Sequence, residues 1–292
     1  MTIINLIELI KDEETAIKWC QDKLLLNKDP ICYACGNETV QYQTKYRCKN
    51  YKCRKIISIT SCTIFHNVSI PIRSLIFMIY FWCCEMGVER TAFQLGISTG
   101  SVSNWFGKIR DYVSIIYYHK HQEPIGGEGK IVEIDEALIV KNKYHRGRLL
   151  QNQIWIIGGV VRGETNDCFI EFVENRSRQA LVKVINERVA HKSIVMTDSW
   201  SGYNNLSSYL PNHQIQHFTV NHSKNFINPL NNEWHTQSIE SFWSLLKRKI
   251  RQKGTNHGNN MDKYLTEILY RRLHGKNDDI LFDHLITDIS ET

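Results

Sequence analysis

Apolar residues follow two different periods along this chain. In residues 1–28 and 61–122 they recur with helical spacing. Residues 1–28 predict an amphipathic N-terminal helix, and the apolar run Leu75–Cys84, between Pro71 and Gly87, predicts a buried helix. That run is about half the length that a membrane span needs, so we expect no membrane partner.

The pattern changes to strands after a Gly- and charge-rich linker that ends near residue 128. Short apolar runs predict strands, with one helix between the third and the fourth, and a long helix after the fifth. The predicted strands are 130–140, 153–163, 167–173, a run that ends on Asp198, and 213–220, and the intervening helix is 177–190. This order predicts an α/β domain.

Composition narrows the class of protein. The chain has 292 residues and a formal net charge of +6, which suits about two domains and permits nucleic acid as a partner. Acidic residues at positions 12–14 do not fit a secretory signal, so we expect the protein to stay inside the cell. Nine cysteines, an odd number, indicate reduced thiols rather than a disulfide framework.

Four of the cysteines form two close pairs, Cys32 with Cys35 and Cys48 with Cys53. Each pair fits a tight turn, and the alternating residues between them predict a hairpin that brings the four thiolates together. We predict a zinc ribbon with one structural Zn²⁺; coincidental buried cysteines are the alternative. Basic residues around the second pair, including Arg54 and Lys55, predict phosphate contacts, and a solvated loop is the alternative.

Residues 88–110 have the spacing of a helix-turn-helix, with Gly96 in the turn. The second helix is predicted to run from about Thr99 to Arg110. It would present four side chains to a DNA groove. They are Ser101, Ser103, Asn104 and Lys108. An ordinary helical hairpin that packs on the preceding buried helix is the alternative.

Three carboxylates lie among apolar neighbours: Asp135 in the first strand of the second domain, Asp198 at the end of the fourth, and Glu240 in the long helix. If they converged at about 4 Å, each pair would repel by about 4 kcal/mol at an effective dielectric of 20. Two divalent ions would offset that repulsion and support in-line displacement at phosphorus. Oxygen ligands favour Mg²⁺ or Mn²⁺. From spacing alone, three unrelated acidic residues remain the alternative.

The helix that contains Glu240 has an apolar stripe and a basic continuation. Its basic residues predict contacts with DNA phosphates, and a solvated face is the alternative. These residues are Lys247, Arg248, Lys249 and Arg251. Glu133 and Glu136 alternate along the strand of Asp135, and their amide variants are expected to keep most activity.

Five motifs, in order, resemble the Merlin family of eukaryotic DNA transposases, whose bacterial relatives are ISXO-like insertion-sequence transposases. The motifs are VEIDEALI, KYHRGR, TDSWSGY, VNHSKNF and HTQSIESFWSLLKRKI. The resemblance covers roughly residues 30–255. It implies an RNase H-like domain with a DDE triad on Asp135, Asp198 and Glu240, supported by His235.

The resemblance also implies cut-and-paste transposition. Such an enzyme cleaves at transposon terminal inverted repeats and joins the freed 3' hydroxyl ends to target DNA, as a homodimer or larger synaptic complex. A eukaryotic source implies the nucleus, and a prokaryotic source the cytoplasm. Two other functions stay open: a domesticated zinc-ribbon and helix-turn-helix DNA-binding protein with an idle nuclease, and an RNase H-like nuclease that cuts without joining.

Together these features divide the chain into five predicted parts. They are the N-terminal helix (1–28), the zinc ribbon (29–60), the helix-turn-helix region (61–122), the catalytic domain (128–255) and a C-terminal helical extension (256–292).

Overall fold

The structure is a computed structural model, and it describes residues 1–140, 154–164, 166–220, 235–252, 260–275 and 278–291, with backbone only at Val140, Asp278 and Asp279. The chain divides into two units. The first combines Met1–Ile116 with His274–Thr292, and the second is Tyr117–Leu273.

The N-terminus forms two helices, α1 (Ile3–Leu9) and α2 (Glu13–Asp22), where the sequence predicted one. The break arises at Asp12, which begins a new helix through a reciprocal cap. Its Oδ1 accepts from the Thr15 amide at 2.8 Å, and its own amide donates to Thr15 Oγ1 at 3.1 Å.

The predicted hairpin is present and gains a third strand. The strands β1 (Thr39–Tyr42), β2 (Lys45–Cys48) and β3 (Ile56–Ser58) form an antiparallel sheet in chain order. Tyr46, in the central strand, is fully buried, and its hydroxyl donates to Asn27 O at 3.0 Å. Because Cys48 ends β2, the sheet fixes one member of the second cysteine pair.

Three helices follow: α3 (Ile72–Cys83), α4 (Val88–Leu95) and α5 (Thr99–Lys120). The buried helix predicted near residue 75 is α3, and it begins after Pro71. Helix α5 continues ten residues beyond the predicted end at Arg110, because Val113, Ile116 and Tyr117 extend its buried face. No described helix is both long enough and apolar enough to cross a membrane.

The second unit is built on a mixed five-stranded sheet of order β6-β5-β4-β7-β8. Its strands are β4 (Ile131–Val140), β5 (Ile154–Val161), β6 (Cys168–Val173), β7 (Ile194–Asp198) and β8 (Gln216–Val220). Strands β4, β5 and β6 pair antiparallel, whereas β7 is parallel to β4 and β8 is parallel to β7. All five strands lie where apolar runs predicted them.

Helices cover both faces of this sheet. Helices α6 (Arg178–Arg188) and α7 (Leu206–Tyr209) contribute Leu181, Val184 and Leu206 to one core. Helices α8 (Gln237–Gln252) and α9 (Met261–His274) contribute to the other core through residues such as Phe242 and Ile268. The result is a three-layer α/β arrangement.

The C-terminal boundary differs from the prediction. The sequence ended the catalytic domain at residue 255, yet α9 packs its apolar face into that domain's core. The last helix, α10 (Asp278–Ser290), belongs instead to the first unit. Its Phe282 lies 6.4 Å from Trp19 and 5.3 Å from Tyr80, measured between ring centroids. Residues 256–292 are therefore not one extension.

Candidate active site and metal centres

Asp135 and Asp198 lie side by side on neighbouring parallel strands. The last registered pair of β4 and β7 is Glu133 with Met196, and each aspartate lies two residues further along its strand. Adjacent strands are about 4.8 Å apart, so this register places the two carboxylates side by side on the same face of the sheet. The structure thus brings together two of the three residues predicted for the triad.

The surroundings of Asp135 disfavour its negative charge. Burial raises the pKa of this carboxyl group, backbone hydrogen bonding opposes the shift, and the charge of Asp198 adds to it. Trp243 Nε1 donates to Asp135 Oδ2 at 3.0 Å, and the Trp200 amide donates to Asp198 Oδ1 at 3.0 Å. Two neighbouring oxygen donors that repel each other suit a hard divalent cation such as Mg²⁺ or Mn²⁺.

Glu240 is in the first turn of α8 and is exposed. It lines a surface depression together with Arg248 and Arg251. Among the described residues, the only group of three or more acidic, histidine or cysteine side chains close enough to hold one ion is the four-cysteine cluster. Trp243, one turn further along the same helix, contacts Asp135 and so connects the helix of Glu240 to that aspartate.

Glu133 attaches the beginning of α8 to strand β4. This side chain is fully buried, and its Oε2 accepts from the amides of Ser238 and Ile239 at 2.8 and 3.1 Å. Its Oε1 accepts from Ser238 Oγ at 3.0 Å and from Arg162 Nε at 2.8 Å. A carboxylate here accepts hydrogen bonds from amides that have no partner within the helix. Its negative charge also interacts favourably with the positive end of the helix dipole.

Glycine makes a second attachment of α8 possible. A Cβ atom at Gly158 would lie 2.4 Å from Trp243 Cη2, so only glycine leaves room for the indole. Gly158 is also the registered partner of Asp135 across β4 and β5. The indole therefore lies against β5 and reaches Asp135 on the adjacent strand.

A buried network surrounds the second aspartate. Arg176 Nε donates to Glu136 Oε2 at 2.8 Å, and its Nη2 lies 3.8 Å from Asp198 Oδ2. The Tyr203 hydroxyl donates to the other oxygen of Glu136. Burial raises the pKa of Glu136, and the Tyr203 and Arg176 contacts oppose that shift.

These contacts assign structural roles to residues that sequence reasoning left out or treated as controls. Glu133 holds α8, and Glu136 holds Arg176 near Asp198, so the structure revises the expectation that their amides keep most activity. The available signal was the presence of two further acidic residues inside an apolar strand, which require buried partners.

His235 lies just before α8 and contacts this capping arrangement. Its Nδ1 is 3.5 Å from Glu133 Oε1, and its carbonyl oxygen accepts from Arg162 Nη2 at 2.8 Å. Two of the sequence motifs, residues 143–148 and most of 220–226, lie outside the described residues.

The four predicted zinc ligands converge. The Sγ atoms of Cys32 and Cys53 are 3.7 Å apart, and those of Cys35 and Cys48 are 3.4 Å apart. Four sulfurs at about 2.3 Å from a tetrahedral Zn²⁺ are about 3.8 Å apart, so the cluster fits this ion. Hydrogen bonds from Asn37, its side-chain amide first, lower the pKa of Cys35 to about 6, which favours its thiolate, whereas burial raises the pKa of Cys48 to about 12.

The predicted helix-turn-helix residues form a two-helix arrangement with the expected inner and outer faces. Gly96 ends α4 in the left-handed conformation, with φ of 63°. Ala92, Val102 and Trp105 are buried. The proposed groove-reading residues Ser103, Asn104 and Lys108 are exposed, and Ser101 is half-buried. A helical hairpin would show the same burial, so DNA reading by α5 stays a prediction.

The predicted phosphate-binding residues lie on accessible surfaces. In the ribbon, Arg54 and Lys55 are exposed. On α8, Lys247, Arg248 and Arg251 are exposed, and Lys249 is half-buried. Their contacts with DNA stay predictions.

Residues 125–272, half of the chain, match the family described as ISXO2-like transposase domain. The chain therefore belongs to this family of DDE transposases.

Solved structures with a similar arrangement come from retroviral integration and DNA transposition. The simian T-cell lymphotropic virus intasome, in complex with the PP2A regulatory subunit B56 gamma, shares 14% identity over 68% of this chain and 69% of its own, with a TM-score of 0.35. The Mos1 transposase paired-end complex with left transposon end shares 12% over 74% and 76%, with a TM-score of 0.33. The BIV integrase catalytic core shares 12% over 50% and 84%, at 0.32. No curated protein matches the chain.

Proposed function

We propose that this protein is a cut-and-paste DNA transposase of the Merlin type with an RNase H-like catalytic domain. It would cleave phosphodiester bonds at transposon terminal inverted repeats and join the 3' hydroxyl ends to target DNA. The catalytic residues would be Asp135, Asp198 and Glu240, with His235 in support.

The alignment of Asp135 and Asp198 on the adjacent strands β4 and β7 carries this proposal. Helix α8, which bears Glu240, is attached to the same strand β4 through Glu133 and Trp243. Two independent attachments limit how far the third carboxylate can move from the first two.

Two Mg²⁺ or Mn²⁺ ions, when bound, would activate the attacking hydroxyl and stabilise the leaving oxygen. Asp135 and Asp198 would be their ligands, with Glu240 completing the set. Trp243 orients Asp135 by donating to Oδ2. Arg176 places a positive charge 3.8 Å from Asp198, where it also attracts a DNA phosphate.

The remaining parts would bind DNA. The zinc ribbon, the outer face of α5 and the basic turns of α8 are three surfaces for the transposon end, and a homodimer or larger complex would hold two ends together. We place the protein in the nucleus for a eukaryotic source and in the cytoplasm for a bacterial one.

The test is cleavage and strand transfer on labelled terminal-repeat DNA with Mg²⁺ or Mn²⁺. Asp135→Asn, Asp198→Asn and Glu240→Gln each delete one ligand charge and should each abolish both reactions while DNA binding persists. Glu174→Gln, at an exposed position just after β6, is the matched control. Full cleavage by Glu240→Gln would refute the site assignment.

The same assay separates the alternatives. A domesticated DNA-binding protein would bind the end without cutting it. A nuclease without joining activity would cut the end but give no strand-transfer product.

A further inference from the structure

A cleft beside Asp198, outside the proposed triad, combines basic and aromatic side chains. It has a volume of about 760 Å³ and lies between α6 and the segment 200–210. Arg176, Arg178, Lys183 and Asn186 line one side, and Trp200 and Tyr209 line the other. None of the lining residues in the described chain is acidic.

Arg178 is held in a fixed orientation by neutral partners. Its Nε donates to Gly202 O at 3.2 Å, Nη2 to Ser201 O at 3.0 Å, and Nη1 to Tyr209 Oη at 2.9 Å. None of the described residues supplies it with a carboxylate. A positive charge in the first turn of α6 also opposes the helix dipole, which gives no structural benefit.

The aromatic side of the cleft offers a surface for a base. Tyr209 is 49% exposed, and the Arg178 guanidinium carbon lies 5.2 Å from its ring centroid. The guanidinium carbon of Arg176 lies 4.1 Å from the centroid of the Trp200 ring, so Arg176 covers one face of this ring. Because about half of its surface is exposed although Arg178 lies over the ring, Tyr209 is the aromatic side chain that remains accessible for stacking.

The geometry points to a binding site for a single-stranded DNA segment next to the scissile phosphate. Arg178 and Lys183 bind its phosphates, and one unpaired base stacks on Tyr209. A base inside a duplex is already stacked on both faces, so Tyr209 selects an unpaired one. This inference rests on the proposed function, and it adds to that function a requirement for an unpaired strand.

The test measures binding of fluorescein-labelled DNA to the full chain in chelator, so that cleavage does not contribute. Two duplexes are used, one with the transposon-end sequence and one with an unrelated, target-like sequence. Each is tested with blunt ends and with a single-stranded tail. We expect both tailed duplexes to bind about tenfold more tightly than the blunt ones, the scale of one stacked base. If only one of the two sequences shows tighter binding of the tailed duplex, the single-strand site is still supported, and that sequence identifies which DNA occupies the cleft.

The variants separate the contributions. Tyr209→Ala should remove the preference for the tail, whereas Tyr209→Phe, which keeps the ring, should retain it. Arg178→Ala with Lys183→Ala should lower the salt slope for tailed DNA by about 1.4, at about 0.7 per phosphate of a single strand. Lys192→Ala is the control, since Lys192 is a similarly exposed lysine elsewhere in this unit, 3.4 Å from Glu128.

Equal affinity for tailed and blunt DNA, or a preference that survives Tyr209→Ala, overturns the inference while leaving the proposed transposase intact. Failure of the parent chain to bind any DNA overturns both.

Discussion

Glutamine at position 133 is expected to loosen the beginning of α8. The carboxylate of Glu133 is fully buried and accepts four hydrogen bonds, two on each oxygen. An amide keeps only one oxygen. In one orientation its NH₂ group faces Arg162 Nε, which can only donate, and Ser238 Oγ, whose hydroxyl can rotate to accept. In the other orientation it faces the amides of Ser238 and Ile239, and neither of these can accept.

The size of the effect follows from these contacts. One hydrogen bond to a charged group is lost in the first orientation and two in the second, at about 1.5–3 kcal/mol each, so the free energy of unfolding should fall by about 1.5–6 kcal/mol. The Arg162 side chain is 19% exposed, so water replaces little of its lost partner. At about 2–4 °C per kcal/mol for a domain of this size, the melting temperature should fall by at least about 3 °C, and by more if both bonds are lost.

Thermal unfolding of the full chain measures the stability, and hydrogen exchange at the amides of Ser238 and Ile239 measures the local effect. Both amides should exchange faster in Glu133→Gln, and DNA cleavage should fall because Glu240 is no longer held. The exposed Glu174→Gln makes the same chemical change without buried partners and should match the parent. A melting temperature within about 2 °C of the parent, with unchanged exchange, would refute the capping role.

Three other variants test separate parts of the molecule. Because burial raises the folded-state pKa of Asp135, ionisation of this group costs stability as pH rises above about 4. Asp135→Asn should therefore melt higher than the parent at pH 7 in chelator and lose this advantage near pH 4; a lower melting temperature at pH 7 contradicts the argument. Cys48→Ser should release one Zn²⁺ per chain by metal analysis, whereas Cys62→Ser, at an exposed cysteine outside the cluster, should retain it. Asn104→Ala should reduce the preference for terminal-repeat over random DNA, since base contacts specify, and equal losses on both would favour the helical hairpin.

Local sequence pattern predicted most of the elements, because burial of one face or one stripe leaves a period along the chain. The apolar runs around Asp135 and Asp198 predicted strands β4 and β7 and the residues at which they end. The spacing of the cysteines predicted the four-cysteine cluster. The same local rules missed the break at Asp12, where a short cap competes with a continuous apolar pattern.

Contacts between segments that are distant in the sequence decided which elements pack together, and local patterns carry no information about such contacts. Helices α9 and α10 are both amphipathic, and no local feature states that one joins the catalytic sheet while the other joins the N-terminal helices. Likewise, nothing near Glu133 in the sequence identifies its partners, which lie 105 and 106 residues away in α8. The sequence by itself determined the secondary structure and the candidate ligands, because those depend on neighbours along the chain. Only the tertiary structure decided which buried charges hold the site together, because that depends on which chain segments meet in space.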